Sequence, residues 1–164
     1  MYVTQKDKYV TFRSGKEYFG LKIEYVNEIV VYQEITQIPE TEDYIRGLIN
    51  LRGKIIPVID VRIRFKQEPI EYNDRTCIIV VKVQEMTVGL IVEQIAEVVE
   101  IKEENILEPP TLGKEETNPQ NRYIYGIGKV GESVKLLLDP EKILKDDDIS
   151  LLEDIAGETE EEGE

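Results

Sequence analysis

Apolar residues along this chain recur at every second position or in short unbroken runs, and both patterns predict strands. Tyr9-Val10-Thr11-Phe12, Tyr18-Phe19-Gly20-Leu21-Lys22-Ile23, Ile29-Val30-Val31-Tyr32 and Ile55-Ile56-Pro57-Val58-Ile59 are such segments. So are Ile78-Ile79-Val80-Val81, Val88-Gly89-Leu90-Ile91-Val92 and Val134-Lys135-Leu136-Leu137-Leu138. All are rich in β-branched residues, which suit a pleated, half-buried surface. Ser14-Gly15-Lys16, Tyr72-Asn73-Asp74-Arg75 and Gly131-Glu132-Ser133 supply turns between them. Pro57 lies inside a strand pattern and predicts an edge or a bulge, because it has no N–H for a ladder. Asp60 and Asp139 each close a strand pattern and predict the cap of a helical turn, over 61–65 and 140–144; Pro140 suits the first helical position. One more short helix is expected over 149–156, with disorder from Gly157 onward.

The pattern occurs twice. Moving residues 8–30 forward by 69 places Gly20, Leu21, Glu24, Glu28 and Val30 on Gly89, Leu90, Glu93, Glu97 and Val99. Moving 47–65 forward by 79 places Gly47 on Gly126 and Asp60 on Asp139. The offset changes in the segment between the blocks, 16 residues (31–46) in the first copy and 26 (100–125) in the second. Two copies of one small fold are therefore expected, with function concentrated where the copies differ. Asn50-Leu51-Arg52-Gly53 differs most sharply from its counterpart, Lys129-Val130-Gly131-Glu132. Short strands with little helix must close or pair to protect their edges. Copies of about 65 residues are marginal alone and should share a buried face. The expected fold is all-β: two small five-stranded barrels packed side by side, with short helices. The repeat halves run over about 7–66 and 75–145.

Composition changes this picture in a few places. Among 164 residues, ten of the 34 acids fall in 146–164 with no base, which leaves 24 acids against 20 bases in 1–145. The net charge of −14 is thus mostly a tail, expected to act as a solvated solubility segment. A nearly neutral body argues against nucleic-acid binding, which needs clustered Lys and Arg. No apolar run approaches the roughly 20 residues of a membrane helix, and Met1-Tyr2-Val3-Thr4-Gln5-Lys6 lacks a signal-peptide core, so a cytoplasmic protein is expected. A single Cys excludes an internal disulfide.

Candidate chemistry is sparse. There is no His, which removes the usual general base and the commonest metal ligand. Cys77 starts a solid apolar run and reads as a buried, inert thiol. Neither zinc or EF-hand spacing nor a phosphate-cradling Gly-rich loop is present, and no Ser sits in a Gly-x-Ser-x-Gly context. Asp60 and Asp139 are the paired carboxylates that the repeat places alike; capping accounts for both, and a small carboxylate-dependent enzyme is the alternative from another class. A ligand-sensing barrel is disfavoured because Tyr, Ile and Val should fill barrels this small. The expected work is binding, with no catalytic residue, metal or cofactor.

The run Tyr44-Ile45-Arg46-Gly47-Leu48-Ile49-Asn50-Leu51-Arg52-Gly53-Lys54-Ile55-Ile56-Pro57-Val58-Ile59-Asp60-Val61-Arg62-Ile63-Arg64-Phe65 resembles the signature stretch of the CheW family of chemotaxis adaptors. Val26-Asn27-Glu28-Ile29-Val30, Val88-Gly89-Leu90-Ile91-Val92 and Lys135-Leu136-Leu137-Leu138-Asp139-Pro140-Glu141-Lys142-Ile143-Leu144 fit the same family, so the resemblance covers about 7–145. It implies two SH3-like barrels, and a free-standing adaptor that couples the cytoplasmic tip of a methyl-accepting chemoreceptor to the regulatory domain of the histidine kinase CheA. Such an adaptor is recruited to membrane-bound signalling arrays without inserting in the membrane, and is expected to be a monomer when free. Coupling in another receptor pathway, such as twitching motility, is the neighbouring alternative.

By the same resemblance a receptor groove lies between the barrels, at positions matching Val26, Glu28, Gly47, Asn50, Arg52 and Val98. A receptor helix needs an apolar strip to bury and polar groups to fix its register. Val26 and Val98 either supply that strip or are barrel core. Arg52, whose counterpart is Gly131, is expected to pair with Glu28 and shape the groove. Kinase contacts are placed generally on first-copy strand residues around Ile35, Ile38 and Pro39. Leu112, in the loop Glu108-Pro109-Pro110-Thr111-Leu112-Gly113, is the candidate for a second, array-forming interface; folding back on its own barrel is the other reading.

Overall fold

Most of the apolar runs form strands with both faces covered, which is why they read as solid rather than alternating. A computed structural model describes residues 6–108, 123–144 and 148–154. Its strands are β1 (Lys8–Ser14), β2 (Glu17–Lys22), β3 (Val26–Val31), β4 (Ile45–Leu51), β5 (Lys54–Asp60) and β6 (Cys77–Val83). They continue as β7 (Met86–Val92), β8 (Gln94–Glu100), β9 (Ile106–Leu107), β10 (Ile124–Val130) and β11 (Ser133–Leu138). One sheet has the order β8-β1-β2-β11-β10-β9 and the other β3-β6-β7-β5-β4. The all-β architecture of two small barrels is as expected, with β9 adding a sixth, very short strand to one of them.

The sheets do not coincide with the sequence repeat. β3 of the first copy pairs antiparallel with β6 of the second, and β8 of the second pairs with β1 of the first. Parallel pairs β2–β11 and β5–β7 also join one copy to the other. Each barrel is therefore a composite of both halves. Neither half alone contains the neighbours its strands need.

Strand alternation divides the core into three clusters. Ile78, Val80, Val58 and Ile91 fill the interior of the five-stranded barrel, while their neighbours Ile79, Val81, Ile59 and Leu90 face the other way. Tyr9 and Leu137 belong to the six-stranded barrel's interior, and Val10 and Leu138 to the opposite face. The outward faces meet in one large shared cluster that includes Val10, Phe12, Phe19 and Leu21 with Ile59, Ile79, Val81 and Leu90. Fully burying each such side chain contributes about 1.5–3 kcal/mol, so the shared face binds the barrels to each other.

The seam carries polar groups as well. Phe12, Phe19, Phe65 and Tyr123 stack in series, with ring centroids 5.6, 4.9 and 5.4 Å apart. Arg64 is buried at 8% exposure, its guanidinium 4.6 Å from the Tyr44 ring centre and 4.5 Å from that of Tyr123. Those tyrosines are equivalent in the repeat at offset 79, so one guanidinium bridges the same position of both copies. Its Nε donates to the Ile143 carbonyl. The Tyr44 hydroxyl donates to Asp148 on a helix over 148–154, whose Ile149 and Leu152 are buried in the shared cluster. The short helix expected over 149–156 is thus present over 148–154, and its packing on the core corrects the reading of this stretch as a solvated segment; residues 145–147 and 155–164, including Gly157 onward, lie outside the described residues.

Three local expectations are resolved here. Asp60 caps α1 (Val61–Arg64) by accepting from the Ile63 N–H at 3.3 Å, and Asp139 accepts from the Glu141 N–H at 3.0 Å over the 3-10 turn Pro140–Lys142. Pro57 sits on a strand flanked by two others, yet the ladder from β5 to β7 begins at Val58, so its missing N–H leaves that ladder intact. The segment around Ile35, Ile38 and Pro39 is not a strand, contrary to expectation. It is irregular apart from a single bridge, Thr36 with Leu48, and Glu40 adopts a φ of 60°. Pro39, which has no N–H, and the left-handed residue after it break the extended run.

Glu93 ties β1 to α1 across the barrels. It accepts from Arg13 Nη2 at 2.9 Å, the Gly15 N–H at 2.9 Å and Arg62 Nη1 at 3.1 Å. Burial pushes the carboxyl up, but the Gly15 N–H and the two guanidinium groups outweigh it and hold Glu93 below the usual carboxylate range. A carboxyl with a lowered folded pKa contributes stability above its unfolded value, about 4.3, and loses it as pH falls through the folded value. Glu93→Gln is expected to melt several degrees below the wild type at pH 7. The gap should narrow as pH falls below the usual carboxylate range and through the lowered folded value, in thermal unfolding followed across pH.

Candidate functional site

The β4–β5 hairpin turns on two residues, Arg52 and Gly53, between the closing pair Leu51 and Lys54. Both have positive φ, 53° and 87°, the signs of the tight turn whose twist matches its flanking strands. Gly53 suits that conformation, whereas a left-handed Arg costs about 1–2 kcal/mol. The Asn50 side chain accepts from the Gly53 N–H at 2.8 Å. From this turn Arg52 Nη2 donates to Glu28 Oε2, forming the expected ion pair. The side chains are 68% and 34% exposed, so the pair adds about 0–1 kcal/mol to stability at most.

Its location gives the pair a different kind of importance. Glu28 is on β3 and Arg52 follows β4, the two outer strands of the five-stranded sheet. Their contact spans the sheet from edge to edge and therefore requires it to be curled closed. Two further features close the same seam. Thr36 and Leu48 exchange backbone hydrogen bonds at 2.9 and 2.8 Å, and Val30 and Leu51 pack on the same interior cluster. Gly47 makes that crossing possible: its φ is 142°, and a Cβ there would lie 2.0 Å from the Thr36 carbonyl oxygen. Gly47 is buried, so it contributes to a surface only by letting the 32–36 segment approach.

Along β3 exposure alternates. Val26, Glu28 and Val30 are half-buried, while Asn27, Ile29 and Val31 face solvent, Val31 at 72%. Val26 packs on the shared core. Ile29 and Val31 escaped the sequence reading as surface residues; the polar Asn27-Glu28 pair entering an apolar run was the available signal that one face is open. Val98 is 55% exposed on β8, so its reading as barrel core is set aside. It occupies the outer strand of the other barrel, whereas Glu28, Asn50 and Arg52 come together on one.

Other candidates fare differently. Ile35 and Ile38 are half-buried against the interior and shared clusters, and Pro39 is exposed. Leu112 lies outside the described residues. Asp60 and Asp139 are occupied as caps, and Asp60 also accepts from the Tyr72 hydroxyl at 2.6 Å. Cys77 is half-buried, and burial raises its thiol pKa, which disfavours the nucleophilic thiolate. Among the described residues no three His, Cys, Asp or Glu side chains are grouped to hold a metal ion, and no helix is long and apolar enough to cross a membrane. Exposed apolar residues on β3, the strand whose Glu28 anchors a guanidinium, are suited to holding another protein.

Comparison with known proteins identifies the family and the fold. The profile of the CheW-like domain matches residues 8–148. The chain is 33% identical over 153 residues to the chemotaxis protein CheW of Klebsiella aerogenes, covering 93% of this chain and 90% of that protein. It is 31% identical over 147 residues to the chemotaxis protein CheW of Treponema pallidum, covering 87% and 85%. Among solved structures, the scaffolding protein TtCheW from Thermoanaerobacter tengcongensis superposes with a TM-score of 0.77 at 36% identity, covering 85% of this chain and 92% of that one.

Proposed function

The chain belongs to the CheW-like domain family, and we propose that it is a non-catalytic chemotaxis adaptor joining the cytoplasmic tip of chemoreceptors to the regulatory domain of the histidine kinase CheA. In this reading it works in the cytoplasm, at membrane-bound receptor arrays. The observation that carries the receptor half is the Arg52–Glu28 pair, set across the closing seam of one barrel, with exposed Ile29 and Val31 on the outward face of the same strand as Glu28. A receptor helix would bury those apolar side chains and find in the paired guanidinium a fixed donor for its register. Val26 and Gly47 support the surface from beneath, and Val98 offers apolar area on the second barrel. Ile35, Ile38, Pro39 and Leu112 remain the proposed kinase contacts. The names of the relatives favour chemotaxis over another receptor–kinase pathway.

Size-exclusion chromatography of the purified chain, mixed with a chemoreceptor hairpin fragment and with the CheA regulatory domain, tests the proposal. Co-elution with each is expected; elution as separate species would end it. Arg52 provides a sharper test. Arg52→Gly relieves the left-handed strain and should raise stability by up to about 1 kcal/mol. The same variant should lose most of its receptor binding in a pull-down, so stability and coupling move in opposite directions. Undiminished receptor binding would remove Arg52 from the docking surface.

A further inference from the structure

We propose that Asn50 is a positioning residue: its side chain holds the Arg52–Gly53 turn in the left-handed form that aims the guanidinium at Glu28, and it is not itself a contact to the partner. This rests on the adaptor reading for the identity of the partner, but the turn geometry stands by itself.

In a two-residue turn closed by Leu51 and Lys54, the exposed Gly53 N–H lies outside the strand ladder and is left to water or to a side chain. Asn50 Oδ1 accepts from it at 2.8 Å. The acceptor is therefore committed within the chain, and the amide N–H groups carry no part of this role. The second copy holds its turn by other means. There Gly131 takes the left-handed position at a φ of 59° with no Cβ to strain, and the Ser133 hydroxyl donates to the Val130 carbonyl at 2.8 Å. Lys129, the counterpart of Asn50, carries only donors and could not accept an N–H. An acceptor side chain thus accompanies the copy in which a long base is forced into a left-handed backbone. The cost of that conformation and the worth of one hydrogen bond are comparable, so losing the bond should free the turn.

Three full-length variants decide the matter: Asn50→Ala, Asn50→Asp, which keeps an acceptor oxygen and drops the amide donors, and Arg52→Gly as a control for loss of the guanidinium. Each is titrated with a purified chemoreceptor hairpin fragment. In parallel, NMR follows exchange of the Gly53 amide and the resonance of Arg52 Nε–H. Asn50→Ala should bind about five- to tenfold more weakly, exchange Gly53 faster and shift the Arg52 signal. Asn50→Asp should restore all three. If both Asn50 variants weaken binding alike while the Gly53 and Arg52 signals stay as in the wild type, Asn50 is a direct contact and the proposal is overturned. If the wild type itself fails to bind the fragment, the adaptor reading fails at this surface. The positioning role is then judged on the two NMR signals, supported if Asn50→Ala moves them and overturned if it does not.

Discussion

Gly47→Ala will destabilise the fold by about 3–5 kcal/mol, a large share of the stability of an ordinary domain. Two effects add. The added Cβ meets the Thr36 carbonyl oxygen at 2.0 Å, its carbon at 2.8 Å and Ile35 Cγ2 at 2.9 Å, and two of those atoms are backbone that cannot rotate aside. The φ of 142° is also one that side chains rarely adopt. Gly126, the repeat equivalent, provides an internal control. Its Cβ would meet a side-chain methyl, Ile106 Cγ2, at 2.8 Å, and its φ is not positive. Gly126→Ala should cost about 1–2 kcal/mol. Urea unfolding of both variants measures the difference. Hydrogen exchange at Leu48 should show the Thr36–Leu48 crossing opening in the first variant alone. Equal costs at both sites would refute the account of the seam.

Arg64→Ala carries the second large effect, about 3 kcal/mol, which for a chain of this size lowers the melting temperature by roughly 6–12 °C. The guanidinium stacks between Tyr44 and Tyr123 and donates to the Ile143 carbonyl, with little water to replace either contact. Truncation leaves a gap between two aromatic rings and removes the donor from that carbonyl. Arg64→Lys keeps the charge but not the planar face, so it should recover about half of the loss. Thermal unfolding gives both numbers. Arg64 is buried just beyond the end of β5 opposite to the Arg52 turn, so receptor binding per folded molecule should be unchanged. A melting temperature for Arg64→Ala within a degree or two of the wild type would show that the tyrosine sandwich adds nothing.

Much of this was legible in advance because it is local or repeated. Strand-forming runs, the caps at Asp60 and Asp139 and the pairing of Arg52 with Glu28 each follow from residue chemistry, read with the repeat and, for the last, the family likeness. The position of Arg52 opposite Gly131 was visible too. What it meant was not, because the left-handed backbone at residue 52 is a property of the turn and cannot be read from an Arg, which disfavours it. The segment through Ile35, Ile38 and Pro39 shows the converse error. Its apolar residues suggested a strand, but they pack singly beneath a loop, and apolar spacing over so few residues does not separate the two cases.

By itself the sequence determined that this is a duplicated all-β protein of the CheW family, built of short apolar strands, with its sharpest asymmetry at Asn50-Leu51-Arg52-Gly53. Tertiary structure alone decided that β3 and β8 change places between the barrels, that Arg64 sits between the paired tyrosines, and that the helix over 148–154 joins the core. The physical reason is one of information. An apolar strand states how many of its faces must be covered, and a repeat makes two partner sheets nearly alike in what they offer. Which of them receives the strand depends on the joint packing of both copies around one shared face, a condition that no local stretch of chain contains.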